Sequence, residues 1–185
     1  MYSMNYRPEM DSSPELDGAD GAYYQSLIVI LWWMVELGRI YICCEVSMMS
    51  YHLALPREGH LAQFFHIFAY LKKHHNSALV FDPSYYDVNV DTFLKHDWTK
   101  FYVDVKEAMP TDMIGTLVKE VVMRCFVDAN HAEDKLTRRS CSGLSIFLQI
   151  APIYYCSNRQ NTVETSTFGS EFMAMKLACK YIRGL

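Results

Sequence analysis

The stretch Arg124-Cys125-Phe126-Val127-Asp128-Ala129-Asn130-His131 constrains this chain most. With the apolar, β-branched approach of Val121, Val122 and Met123, it predicts a buried β-strand that ends abruptly on a carboxylate. His131, Ala132, Glu133, Asp134 and Lys135 then read as a turn. An aspartate where a core strand emerges is held by rigid backbone and faces solvent. That position suits a metal ligand or an acid, and it equally suits a residue that only starts the turn.

A core strand needs partners, and the following residues supply them. Residues 141–148, with Gly143, predict a second strand, and residues 151–157 a third, bounded by Pro152 and the polar Ser157-Asn158. Their short links suit an antiparallel meander. A helix is predicted over 167–183, with Ser166 or Thr165 as its cap and Gly184 as its stop. Its stripe of Phe168, Phe172, Met175, Cys179 and Ile182 has a 4-3-4-3 spacing and is expected to pack on the sheet. Glu171 borders that stripe, so it could turn towards the end of the first strand. Two carboxylates converging from a strand and a helix would offer a divalent metal hard oxygen ligands on rigid supports. Taken by itself, Glu171 reads first as a solvated helix residue.

The first half reads as helical. Residues 1–21 form a polar, acidic, flexible lead-in. Asp20 can cap a helix over 22–37 that Gly38 closes, apolar nearly all round and so expected inside a helical cluster. Its Trp32-Trp33 pair reads as core and rim packing. A second helix is predicted over 42–55, where Pro56 stops it. The third carries Leu61, Phe64, Phe68 and Leu71 on one face and ends in Lys72-Lys73-His74-His75-Asn76. Those cations compensate the helix dipole, or form a small patch that contacts phosphate. Residues 78–81 read as a short strand, and 82–117 as an ordered connector whose aromatics need somewhere to pack.

Half of the chain is hydrophobic, which provides a core and argues against disorder. A formal net charge of −4 counts against a stand-alone nucleic-acid binder, without excluding a local basic face. Six cysteines without C-x-x-C spacing read as free, buried thiols in a reducing compartment. No secretion signal opens the chain, and its longest apolar run, 27–35, is half the length that crosses a bilayer. An intracellular protein, cytoplasmic or nuclear, with no membrane partner is expected.

The last third resembles the ribonuclease H domain of copia-type retrotransposon polyproteins. The matching pieces are Phe126-Val127-Asp128-Ala129-Asn130-His131-Ala132, Asp134-Lys135, Thr137-Arg138-Arg139-Ser140, Ser142-Gly143 and Ala151-Pro152-Ile153. They continue with Ser157-Asn158-Arg159-Gln160-Asn161-Thr162-Val163-Glu164 and close with residues 166–175. Residues 22–81 resemble the end of the reverse transcriptase of the same polyproteins, through Tyr24-Gln25-Ser26-Leu27-Ile28, Pro56-Arg57-Glu58-Gly59-His60-Leu61 and Phe68-Ala69-Tyr70-Leu71-Lys72. The specificity lies in the order and spacing of these pieces. Val29, Tyr41, Asn130 and Glu133 depart from the usual pattern.

The resemblance implies an α+β chain: a helical, thumb-like reverse transcriptase unit over 22–81, a connector over 82–117, and an incomplete ribonuclease H-like domain over 118–185, three antiparallel strands followed by a helix. It implies hydrolysis of the RNA strand of an RNA/DNA hybrid with two Mg2+ ions, about 3.5–4 Å apart in such sites. Asp128 and Glu171 would be catalytic residues and metal ligands. Arg138, Arg139, Lys72 and Lys73 would be nucleic-acid contacts, and the remainder of the polyprotein a partner. The further aspartates of such domains and the polymerase aspartates have no counterpart here, so a fragmentary, inactive copy is expected. An apolar first strand with an open side is a hazard for aggregation. The isolated chain is therefore expected to be poorly soluble or partly unfolded; a monodisperse monomer with a sharp, reversible thermal transition would refute this.

Overall fold

A computed structural model describes residues 6–82, 84, 97, 99–103, 111–112 and 121–184. The predicted connector therefore lies largely outside the described residues. The chain is mixed helix and antiparallel sheet, an α+β arrangement. Its helices are α1 (Gly18–Glu36), α2 (Cys43–Ser50), α3 (Glu58–Lys73), the short α4 (Thr99–Tyr102) and α5 (Thr167–Ile182). Its strands are β1 (Met123–Asn130), β2 (Cys141–Leu148) and β3 (Ala151–Arg159). Residues 78–81 form no strand. Among the described residues no helix is long and apolar enough to cross a membrane.

Helix α1 begins earlier than the sequence predicts, because Asp17 rather than Asp20 caps it. The Asp17 carboxylate accepts from the amides of Ala19 and Asp20, both at 2.9 Å. At the other end Gly38 takes φ +109°, and the amides of Gly38 and Arg39 return to the carbonyls of Val35 and Met34, closing a Schellman motif. One face of α1, Tyr24, Leu27, Ile28, Leu31 and Val35, is buried against Val46 and Met49 of α2 and Phe64, Ile67 and Leu71 of α3. Val29, Ile30 and Trp33 stay exposed, so α1 lies on the side of its cluster rather than inside it, whereas Trp32 packs against the core. Tyr24 is fully buried; its hydroxyl donates to the Met49 carbonyl at 2.8 Å and its ring meets Phe64 edge-on.

Helix α3 is turned slightly from the predicted face. His60, Gln63, Phe64, Ile67 and Leu71 are buried, while Leu61 and Phe68 are half-buried. His60 sets this rotation: its Nδ1 accepts from the Arg57 amide at 3.1 Å, and its Nε2 lies 2.9 Å from the Pro8 carbonyl, which makes Nε2 the protonated, donating nitrogen. Residues 6–17, part of the predicted lead-in, form a strap across the start of α3. Arg57 donates to the Ser13 carbonyl, the Gly59 amide to Ser13 Oγ, and the Leu16 amide to the Pro56 carbonyl.

Among the described residues the sheet has the order β1-β2-β3 with both pairings antiparallel, as the short links predict. Here β1 is an edge strand, and it is half-exposed rather than buried. It also runs past Asp128 to Asn130. β3 fixes the sheet to the helical unit. Tyr155 Oη donates to the Val35 carbonyl at 2.6 Å, Ser47 Oγ donates to the Ser157 carbonyl at 2.6 Å, and Tyr51 Oη accepts from the Arg159 amide at 2.7 Å.

Helix α5 packs over β1 and β2, but not through the large apolar stripe that the spacing singles out. Its buried residues are Ser170, Ala174 and Ala178. Phe168, Phe172, Met175 and Ile182 are exposed, Phe168 by 79%. Small side chains let the helix lie close to Leu144 and Ile146, and the bulky stripe is left on its flank. Ala174→Leu should therefore overpack this contact and lower stability by about 1–3 kcal/mol. The same leucine in place of the exposed Lys176 should change it by less than about 0.5 kcal/mol, both read by denaturant unfolding.

Candidate functional site

Strand alternation decides where Asp128 faces. Cys125 and Val127 of β1 pack towards Ala178 of α5, so Phe126, Asp128 and Asn130 point to the opposite face of the sheet. That face lies opposite the start of α2. Between them is a cleft of about 770 Å³, lined by Tyr41, Cys43, Cys44, Phe126, Asp128 and Asn130, among others. Asp128 is paired with Gly143 across β2, and the missing side chain there leaves the exposed carboxylate open to the cleft. At the end of β1 the Asn130 amide donates to Glu133, whose carboxylate also lies 3.7 Å from Arg7. Burial raises the Cys43 thiol to about 11 and pushes Cys141 and Cys156 upward as well, so the thiols around the cleft are protonated and weakly nucleophilic at neutral pH.

Glu171 is placed by a buried polar network at the start of α5. Ser166 caps the helix, accepting from the Gly169 amide at 3.2 Å. Gln160 Nε2 donates to Ser142 Oγ at 2.9 Å and to the Ser170 carbonyl at 2.8 Å, tying β2 to the first turn of α5. His131 Nδ1 lies 3.2 Å from Ser170 Oγ, which joins the residue after β1 to the same turn. A Cβ on Gly169 would come within 2.8 Å of the Glu164 carboxylate, so that side chain would have to swing aside. Glu171 follows Ser170 and is half-buried on the flank of the helix.

The two carboxylates therefore stand on either side of β1, Asp128 on the face turned to α2 and Glu171 on the helix packed over the other face. No hydrogen bond or ion pair joins them. Among the described residues no group of three or more His, Cys, Asp and Glu side chains could hold a metal ion. One or two carboxylates with waters can hold Mg2+, but Asp128 and Glu171 stand on opposite sides of β1 and do not converge on one ion.

The four basic residues are divided between two places. Lys72 and Lys73 are exposed in the last turn of α3. Arg138 and Arg139 lie in the loop from β1 to β2, where Arg138 is exposed with φ +58°. Asp134 builds this loop. Its carboxylate accepts from the amides of Leu136 and Thr137, its backbone carbonyl accepts from the Arg138 amide at 2.7 Å, and its Oδ2 meets Arg159 at 2.9 Å. Asp134 and Gln160 carry no sequence signal of their own beyond the motif pieces that contain them. Gln160 is polar among polar neighbours, and only the fold shows that it is buried.

Compared with family models, curated proteins and solved structures, the chain matches none.

Partial burial works against ionised Asp134, but the hydrogen bonds from Thr137 and Leu136 and the Arg159 guanidinium outweigh it and lower its pKa. A carboxyl depressed in the folded state stabilises the fold above its unfolded pKa, about 3.9, and that stability is lost as pH falls through the lower folded value. Urea unfolding of Asp134→Asn should accordingly show a shallower acid limb below about pH 4 than the parent chain.

Proposed function

We propose that the chain is a segment of a copia-type retrotransposon reverse transcriptase and ribonuclease H, whose parent activity is two-metal hydrolysis of the RNA strand of an RNA/DNA hybrid. The observation that carries this reading is the ordered run of motif pieces from Phe126 to Met175. The strand-strand-strand-helix order over 123–182 is compatible with it. So is the placement of Asp128 on the first of those strands and Glu171 on the helix that follows the third. In that reading Asp128 and Glu171 are the metal-binding carboxylates of the parent domain, and Mg2+ would supply there the activated water and the stabilised leaving oxygen. On this reading the segment engages a hybrid weakly, and cleavage belongs to the parent domain.

Binding would rest on phosphate contacts by Lys72, Lys73, Arg138 and Arg139, on a chain that is acidic overall. Such contacts release counterions and make affinity fall steeply with salt. A labelled RNA/DNA hybrid should therefore bind weakly, independently of Mg2+, and progressively less well as salt rises. In Arg138→Ala/Arg139→Ala the slope of log affinity against log salt should fall by about 1–2. Magnesium-dependent cleavage that Asp128→Asn abolishes would show instead that the segment is an active nuclease. Absence of any hybrid binding by the folded chain would remove the reading altogether.

A further inference from the structure

We propose that the loop from β1 to β2 carries a phosphate-binding site, built on the Lys135 amide and the Arg139 guanidinium, which the strap fills with its own Glu9 carboxylate. The site is a cavity of about 30 Å³ where the strap, the C-terminal end of α2 and the loop meet. Pro8, Met48 and Tyr51 give it apolar walls, and Glu9, His52 and Arg139 line it beside them. The loop's own hydrogen bonds leave one amide for an outside anion. Asp134 takes the Leu136 and Thr137 amides on its carboxylate and the Arg138 amide on its carbonyl. The Lys135 amide is the remaining donor of this run, and it donates to Glu9 Oε1 at 3.3 Å. A loop N–H that meets a carboxylate from a distant part of the chain has the form of an oxyanion contact, with Glu9 as the stand-in.

The charges around the cavity point to the same pair of residues. Arg159 lies 2.9 Å from Asp134 and Arg7 lies 3.7 Å from Glu133, so these four are matched among themselves. Glu9 and Arg139 are left. Among the described residues no ion pair joins Arg139 to Glu9 or to another carboxylate. Glu9 therefore balances Arg139 across the cavity without touching it. Without the Glu9 charge, the cavity holds an unmatched guanidinium and a free amide, the donor types that recognise a phosphate oxygen. His52 adds a ring whose nitrogens make no hydrogen bond among the described residues. Burial holds its pKa down at about 4, so at neutral pH it is uncharged and offers one N–H donor.

Space makes Glu9 and a phosphate exclude each other. The cavity has room for roughly two waters and not for a phosphate, so a bound phosphate must take the place of the Glu9 side chain. The strap has other anchors: His60 donates to the Pro8 carbonyl, Arg57 to the Ser13 carbonyl, and the Gly59 amide to Ser13 Oγ. The Glu9 side chain can therefore leave while the strap stays docked on α3. The inference stands on these contacts and is separate from the nuclease reading.

Inorganic phosphate, titrated against the full chain at constant ionic strength, tests the site. Glu9→Ala removes the stand-in and opens its space. Saturating phosphate should raise the thermal midpoint of this variant by about 2–4 °C and leave the parent nearly unchanged. The His52 ring resonances should shift in the same titration, which places the phosphate in this cavity. Glu9→Gln, which removes only the charge, should show the same response more weakly. Glu9→Ala/Arg139→Ala should bind phosphate about ten-fold or more weakly than Glu9→Ala, whereas Glu9→Ala/Lys176→Ala should match it. A labelled RNA/DNA hybrid identifies the source of the phosphate. Tighter hybrid binding by Glu9→Ala than by the parent assigns the site to a nucleic-acid backbone, and unchanged hybrid binding assigns it to a small phosphate compound. Phosphate that binds the parent and both Glu9 variants alike, or none of them, would overturn the proposal. So would a Glu9→Ala/Arg139→Ala chain that binds phosphate as well as Glu9→Ala.

Discussion

The docking of β3 on the helical unit is the contact on which the rest of the structure depends. Three hydrogen bonds carry it: Tyr155 to Val35, Ser47 to Ser157, and the Arg159 amide to Tyr51. The Ser47 hydroxyl satisfies the Ser157 carbonyl, and Tyr155 adds a second donor to the Val35 carbonyl, which already accepts from the Gly38 amide. The Arg159 guanidinium lies over the Tyr51 ring, 4.3 Å from its centroid, and reaches Asp134 in the loop that carries Arg138 and Arg139. One contact region therefore orients the sheet, forms the cleft that Asp128 faces, and braces the basic loop.

Fixing β3 against the helices leaves β1 on the outside. That consequence shapes both halves of the candidate site. The face of β1 turned to α2 holds Asp128 and Asn130 over a cleft, and the face turned to α5 holds apolar Cys125 and Val127. The carboxylates of Asp128 and Glu171 thus belong to opposite sides of one strand.

Helix α5 shows how packing overrides a spacing pattern. Phe168, Phe172, Met175, Cys179 and Ile182 form a regular apolar stripe, yet the helix seats Ser170, Ala174 and Ala178 on the sheet. Gln160 accounts for this choice, because its bonds to Ser142 and the Ser170 carbonyl bring the first turn of α5 down on its small-residue side. In α3 the bond of His60 to Pro8 similarly sets which face is buried. Both determinants are contacts between residues distant in sequence or polar in character, and hydrophobic periodicity does not register them.

The sequence by itself determined the local elements of this protein. Periodicity, caps and turn residues were enough for the three antiparallel strands, the boundaries of β2, the start of α5 with its cap narrowed to Ser166 or Thr165, and the glycine stop of α1, because those choices are settled by interactions within a few residues. It also singled out Asp128 and Glu171, through their place in an ordered pattern. Tertiary structure decided the rest: that β1 is an edge among the described strands, that Asp128 and Glu171 flank it from opposite faces, that residues 6–17 strap α3, and which face of α5 is buried. Each of these depends on which backbone groups and surfaces remain unsatisfied once distant elements have packed, and that is a property of the assembled fold.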